Sequence, residues 1–118
     1  MKIRITKLDK LFSELVRRKS GGYCERCGKR LGWQNLQTSH FWGRRAKSVR
    51  WDEDNACALC FYCHKHFGEN PHVHVAWFQQ RLGKKRYDAL MGRLNDMTKV
   101  DKDAIEADLK NKISQLGG

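Results

Sequence analysis

Proline is almost missing from this chain, which has Pro71 as its single example in 118 residues. There is no Gly/Ser tract, internal repeat or biased segment either, so nothing reads as a linker or a low-complexity region. Long apolar runs are also absent, which excludes a helix spanning a bilayer. The N-terminus lacks the apolar core of a signal peptide. Acidic residues are few, 13 against 24 Lys+Arg, for a formal charge of +11. These shortages leave a soluble, cytoplasmic protein with a modest core as the expectation.

The charge is unevenly spread. Residues 1–50 carry 14 basic and 3 acidic side chains, residues 51–100 carry 7 and 6, and the tail carries 3 and 4. A polyanionic partner follows. Nucleic acid fits better than a membrane surface, because no apolar, aromatic-studded helix is present to insert.

Cysteine is present in an odd number, five. Disulfides do not persist in the cytosol, so spacing is read for metal binding first. Cys24-x2-Cys27 and Cys60-x2-Cys63 are two CxxC turns separated by 32 residues, room for two strands and a loop. Each turn delivers two thiolates to one point, and two turns complete a tetrahedral four-cysteine zinc site. A competing pair, Cys57/Cys60, overlaps the second turn within "CALCFYCHKH". Pairing Cys57 would consume the strand candidate "ACAL", so Cys60/Cys63 is favoured and Cys57 becomes a small buried apolar group.

Helical periodicity is clear in "TKLDKLFSELVRRKSGG", where Leu8, Leu11, Phe12, Leu15 and Val16 form a stripe ended by Gly21-Gly22. Gly28 suits the backbone reversal of the first knuckle. "LQTSHF" and "ACAL" are short strand candidates, with Leu36, Thr38 and His40 on one face of the first. A helix is expected from about His64. Another should start with Asn70 as N-cap and Pro71 in the first turn, and close at Gly83. "KKRYDALMGRLNDM" and "DKDAIEADLKNKISQL" are amphipathic and complete the chain. The organisation expected is a domain over 1–97 and a C-terminal helix over 98–118, either packed on the domain or used in a homodimer.

His40, Asn55 and His64 stand out by position: the end of one strand, the residue before the next, and the start of a helix. A strand–loop–strand–helix unit brings such residues to one edge. That layout suits phosphodiester cleavage with one metal ion, in which a His activates water and a cation polarises the phosphate. Asn55 at the hairpin mouth can bond backbone across the loop and steady the base.

The string "CERC … TSHF … DEDNACALCFYCH" resembles the HNH (ββα-metal) endonucleases framed by a four-cysteine zinc site. Within that family it is most similar to phage-encoded recombination nucleases of the NinG kind and, more distantly, to phage junction-resolving endonucleases. The resemblance covers roughly residues 20–95. It implies an α+β fold: a two-stranded antiparallel hairpin with a ββα-metal motif, stapled by zinc and surrounded by helices. It implies that His40 is the general base, that Asn55 orients it, and that His64 binds a catalytic Mg2+ or Mn2+. The activity implied is DNA cleavage leaving a 5'-phosphate and a 3'-hydroxyl. Many members have Asp or His where this chain has Ser39, a weak ligand. The ion is therefore expected on His64, phosphate oxygens and water, with help from Ser39 or an acid of "DED".

Arg44, Arg45, Lys47 and Arg50 lie between the base and that acidic turn, placed to grip DNA phosphates. Trp42 is read either as a stacking wedge or as packing over the knuckle. Arg17, Arg18, Lys19, Arg26, Lys29 and Arg30 are expected to extend the basic face. His66 should point away from His64's target. His72 and His74 are expected to face solvent near a helix start, though either could supply a ligand if that helix folds back. No base-reading helix is evident, so DNA structure (nicked, branched or single-stranded) is the expected preference. The competing reading is a zinc-ribbon nucleic-acid-binding module whose nuclease site has decayed.

Overall fold

The structure is a computed structural model and describes residues 4–116. The outer ends of both expected segments, residues 1–3 and 117–118, lie outside the described residues. The chain runs α1 (Lys7–Lys19), β1 (Gln37–His40), β2 (Ala56–Leu59), α2 (Phe61–Glu69), α3 (Pro71–Leu94) and α4 (Lys102–Gln115). Among the described residues the architecture is α+β, four α-helices around one two-stranded antiparallel hairpin.

α1 begins at a capping box. The Thr6 hydroxyl accepts from Asp9 N at 3.3 Å, and Thr6 N donates to the Asp9 carboxylate at 2.7 Å. Its stripe of Leu8, Phe12, Leu15 and Val16 is buried, while Leu11 is only partly so. After Gly21, the positive φ of Gly22 turns the chain where a side chain would meet the Gly32 Cα at 3.2 Å.

The hairpin pairs Gln37 with Leu59, Thr38 with Ala58, Ser39 with Cys57 and His40 with Ala56. Alternation puts Thr38 and His40 toward α1. The Thr38 and Ser13 hydroxyls share a hydrogen bond of 2.8 Å, and the Phe12 and His40 rings are 5.7 Å apart. All four residues of β2 are buried, as expected of a strand covered on both faces.

α2 starts at Phe61, three residues before the expected His64, because Cys60 is its N-cap and the Cys60 sulfur accepts from Cys63 N at 3.4 Å. Asn70 precedes α3 as expected but does not cap it with its side chain, which donates to the His66 carbonyl at the end of α2 (2.9 Å). α3 is broken at Gly83, whose φ of 78° and ψ of 164° change the helix direction where the sequence predicts a stop. α4 docks against α1, with Leu109 in the core and Ile105 and Ile113 against it. No helix among the described residues is long and apolar enough to cross a membrane.

Candidate functional site

The first knuckle is shaped by backbone bonds from Cys24 N to the Lys29 carbonyl (3.0 Å) and from Gly28 N to the Cys24 carbonyl (2.9 Å), with Gly28 at φ 77°. It docks on the outer edge of β2. Glu25 N donates to the Ala58 carbonyl (2.9 Å), and Ala58 N returns a bond to the Glu25 carboxylate (2.6 Å). This brings Cys24, Cys27, Cys60 and Cys63 together, with ligand atoms all within 4.8 Å of one another. A tetrahedral thiolate site with metal–sulfur bonds of about 2.3 Å needs sulfurs roughly 3.8 Å apart. Cys27 and Cys60 are 3.9 Å apart, so the donor set fits a metal such as zinc.

Two of the clustered thiols are shifted in opposite directions. Burial raises the Cys24 pKa, but backbone N–H groups of Cys27, Cys60 and Arg26 outweigh it and bring the thiol down to about 7. Cys63 is pushed up to about 12, first by burial and then by the neighbouring cysteines, and Arg26 opposes the rise by donating to its sulfur at 3.4 Å. Arg26, inside the first knuckle and over the Phe67 ring at 5.2 Å, thus touches the cysteine cluster while remaining exposed. Cys57 stays outside the cluster, fully buried, as the strand argument required.

His40 closes β1. Its ring is pushed below the ordinary His pKa, first by burial and then by the charge of Arg44. Its Nε2 is buried and has no hydrogen-bond partner, and the Nε of Arg44 is in the same condition. Asn55, 0% exposed, does not bond the His40 ring. It acts on the loop after His40: Oδ1 accepts from Trp42 N (2.8 Å), and Nδ2 donates to the Trp42 and Val49 carbonyls (2.8 and 3.0 Å). Its own carbonyl accepts from Phe41 N at 2.8 Å. Asn55 therefore holds the backbone on which His40 and Trp42 stand. Trp42 is 37% exposed and edge-on to Phe41 at 5.4 Å.

His64, half-buried, is on α2. His66 is also half-buried, beside Phe67 and near the Asn70 side chain. His72 is exposed, but His74 is not the solvent-facing residue that its place near the start of α3 predicts. Its ring stacks on Phe67 (4.8 Å) and stands edge-on to Phe41 (6.1 Å), and its Nε2 is buried without a partner. No local signal marks this position, because it depends on α3 folding back across α2.

Three expectations change. Ser39 is 4% exposed, faces Cys57 in the register and hydrogen-bonds that thiol, so it offers no metal ligand. Arg50 is 8% exposed and leaves the DNA-contact set: it donates twice to Asp9 (3.0 and 2.6 Å) and once to the Arg4 carbonyl (2.9 Å). The acids of "DED" are likewise committed. Asp52 binds Arg93, Glu53 binds Lys19 and Lys112, and Asp54 binds Arg86 and Arg93. Arg17 and Arg18 lie over the Trp33 ring at 5.1 and 5.6 Å, and Arg30 lies over Tyr23 at 5.8 Å. Asp9, which anchors Arg50 and accepts from Trp51 Nε1 at 3.0 Å, escaped the sequence reading. Its signal was Thr6-x-x-Asp9, a capping box. No protein-family model, curated protein or solved structure matches the chain.

Proposed function

We propose that this chain is a metal-dependent DNA endonuclease of the HNH type, with structural zinc in the cysteine quartet. The observation that carries the reading is the pair of buried, unpartnered nitrogens, His40 Nε2 and Arg44 Nε, at the end of the zinc-framed hairpin. Leaving two such groups unmade is costly, and an incoming water and phosphate oxygen are the partners that satisfy both. His40, kept neutral by burial and by Arg44, takes the proton of the attacking water at Nε2. Arg44 donates to the phosphate, and Asn55 keeps the intervening loop in register with both. A divalent cation, Mg2+ or Mn2+, held by His64 would polarise the phosphate and stabilise the leaving oxygen. Arg44, Arg45 and Lys47 supply backbone affinity without sequence reading, and exposed Trp42 can stack on an unpaired base.

The burial of Ser39 favours one second reading, a zinc-dependent DNA-binding module without turnover, since a ligand position used by many HNH enzymes is closed. Labelled duplex, nicked, flap and four-way-junction DNAs with Mg2+ or Mn2+ decide between them. Cutting by the wild type that vanishes in His40→Ala establishes the nuclease and its substrate. Tight binding with no cutting in either metal leaves the module.

A further inference from the structure

His74 stands where three observations meet. Its ring is wedged between Phe67 of α2 and Phe41, the residue after His40, at 4.8 and 6.1 Å. His64 and Phe67 are three apart on α2 and share a face, so the ring covering Phe67 lies beside His64. Finally, the Nε2 of His74 is buried and bonds to nothing in the chain. A ring nitrogen in that state is expensive unless something from outside takes its lone pair.

We infer that His64 and His74 together hold the divalent cation, His74 supplying the second protein ligand that buried Ser39 cannot. The cation's task rests on the nuclease reading above; the binding site itself does not. Its donor set also fixes the class of ion. Magnesium prefers oxygen ligands and keeps most of its water, whereas imidazole suits the later first-row divalent ions. Among the described residues the cysteine quartet is the only group of three or more metal-binding side chains, so phosphate and water must complete the shell at the histidine pair. The site is therefore a two-imidazole, open-shelled one that ranks Ni2+ above Mn2+ and Mn2+ above Mg2+.

The test titrates Ni2+ into untagged, zinc-loaded full-length chain by calorimetry, with zinc content measured before and after. One Ni2+ per chain is expected. His64→Phe and His74→Phe should each weaken it by about 10- to 100-fold or more, at least what losing an outer-shell partner costs in metal sites. His72→Phe should bind like wild type. His74→Phe keeps an aromatic ring against Phe67, and an unchanged zinc content and helical signal certify its fold; His74→Gln serves if that variant does not fold. Wild type that takes up no Ni2+ beyond its zinc, or a folded His74 variant that binds as tightly as wild type, overturns the site. Displacement of Ni2+ by a modest excess of Mg2+ overturns the assignment of ion class. Nuclease failure reads separately. Histidine-dependent Ni2+ binding with no DNA cut upholds the site and ends the nuclease reading, while cutting by a folded His74 variant whose Ni2+ affinity matches wild type does the reverse.

Discussion

Cys57 faces the interior from β2, its thiol driven up by burial and then by the charge of Glu25, so it is a neutral packing group at physiological pH. Cys60, three residues on, belongs to the cysteine quartet that could hold a metal and caps α2. Serine at 57 should therefore leave one zinc per chain, while serine at 60 or 63 should abolish it, as atomic absorption on purified variants will read. For His40 the sign is that of a buried cation. With its folded pKa below the ordinary value near 6.5, the ring is still an unprotonated base at about pH 6.5 and somewhat lower. The acid limb of the cleavage profile should lie below 6.5, and Arg44→Ala should move it up. A limb at or above that value would remove His40 as the base. The unfolded chain takes up this proton first as pH falls, so His40 also subtracts stability in that acid window.

Asp9 shows the opposite linkage. Burial opposes its ionisation, but Arg50 and Thr6 outweigh burial and hold its pKa at about 2. The stabilisation is complete above the unfolded carboxylate value of about 4 and is lost as pH falls toward 2. Breaking this buried pair with Arg50→Ala should cost about 3–5 kcal/mol in urea denaturation, because Asp9 would keep a charge with its main partner gone.

At the scale of elements, α1, the hairpin strands and the two knuckles could be read from the sequence, since each is written in local periodicity or spacing. The start of α2 could not: its cap is a cysteine sulfur, outside the usual Ser, Thr, Asp and Asn set. Nor could the burial of Arg50, whose partner is 41 residues away, or the position of His74, which depends on how α3 crosses α2. The kink in α3 was readable because only glycine takes its conformation cheaply. Gly83 and Gly92 make a controlled pair, since a Cβ at either meets nothing within 4 Å. Gly83→Ala, at φ 78° and ψ 164°, should destabilise by about 1–3 kcal/mol. Gly92→Ala, in regular helix, should stabilise by about 0.4–1 kcal/mol. Equal effects in urea melts would mean that the Gly83 turn is not needed.

For the whole molecule, formal charge overstates what can meet a polyanion. Lys19, Arg50, Arg81, Arg86, Arg93 and Lys112 are spent on the chain's own carboxylates, which ties α1, the acidic turn, α3 and α4 into one body. Removing one phosphate-binding side chain should lower the salt slope of DNA binding by about 0.9. Arg44→Ala is expected to show that drop. A folded Arg50 variant should keep the wild-type slope even where its stability falls.

The Glu25 clasp on Ala58 has a consequence for colloidal behaviour. An isolated two-stranded ribbon presents bare amides along its rim, a template on which a second molecule can add a strand. Here the first knuckle occupies that rim through both the backbone and the carboxylate of Glu25. A metal on the cysteine quartet would add a tether from the knuckle's two thiols to Cys60 and Cys63. Stripping such a metal would thus do more than loosen a fold. It would leave the guard on β2 to the Glu25 bonds and the Arg81 ion pair, and bring a single chain closer to seeding an intermolecular sheet.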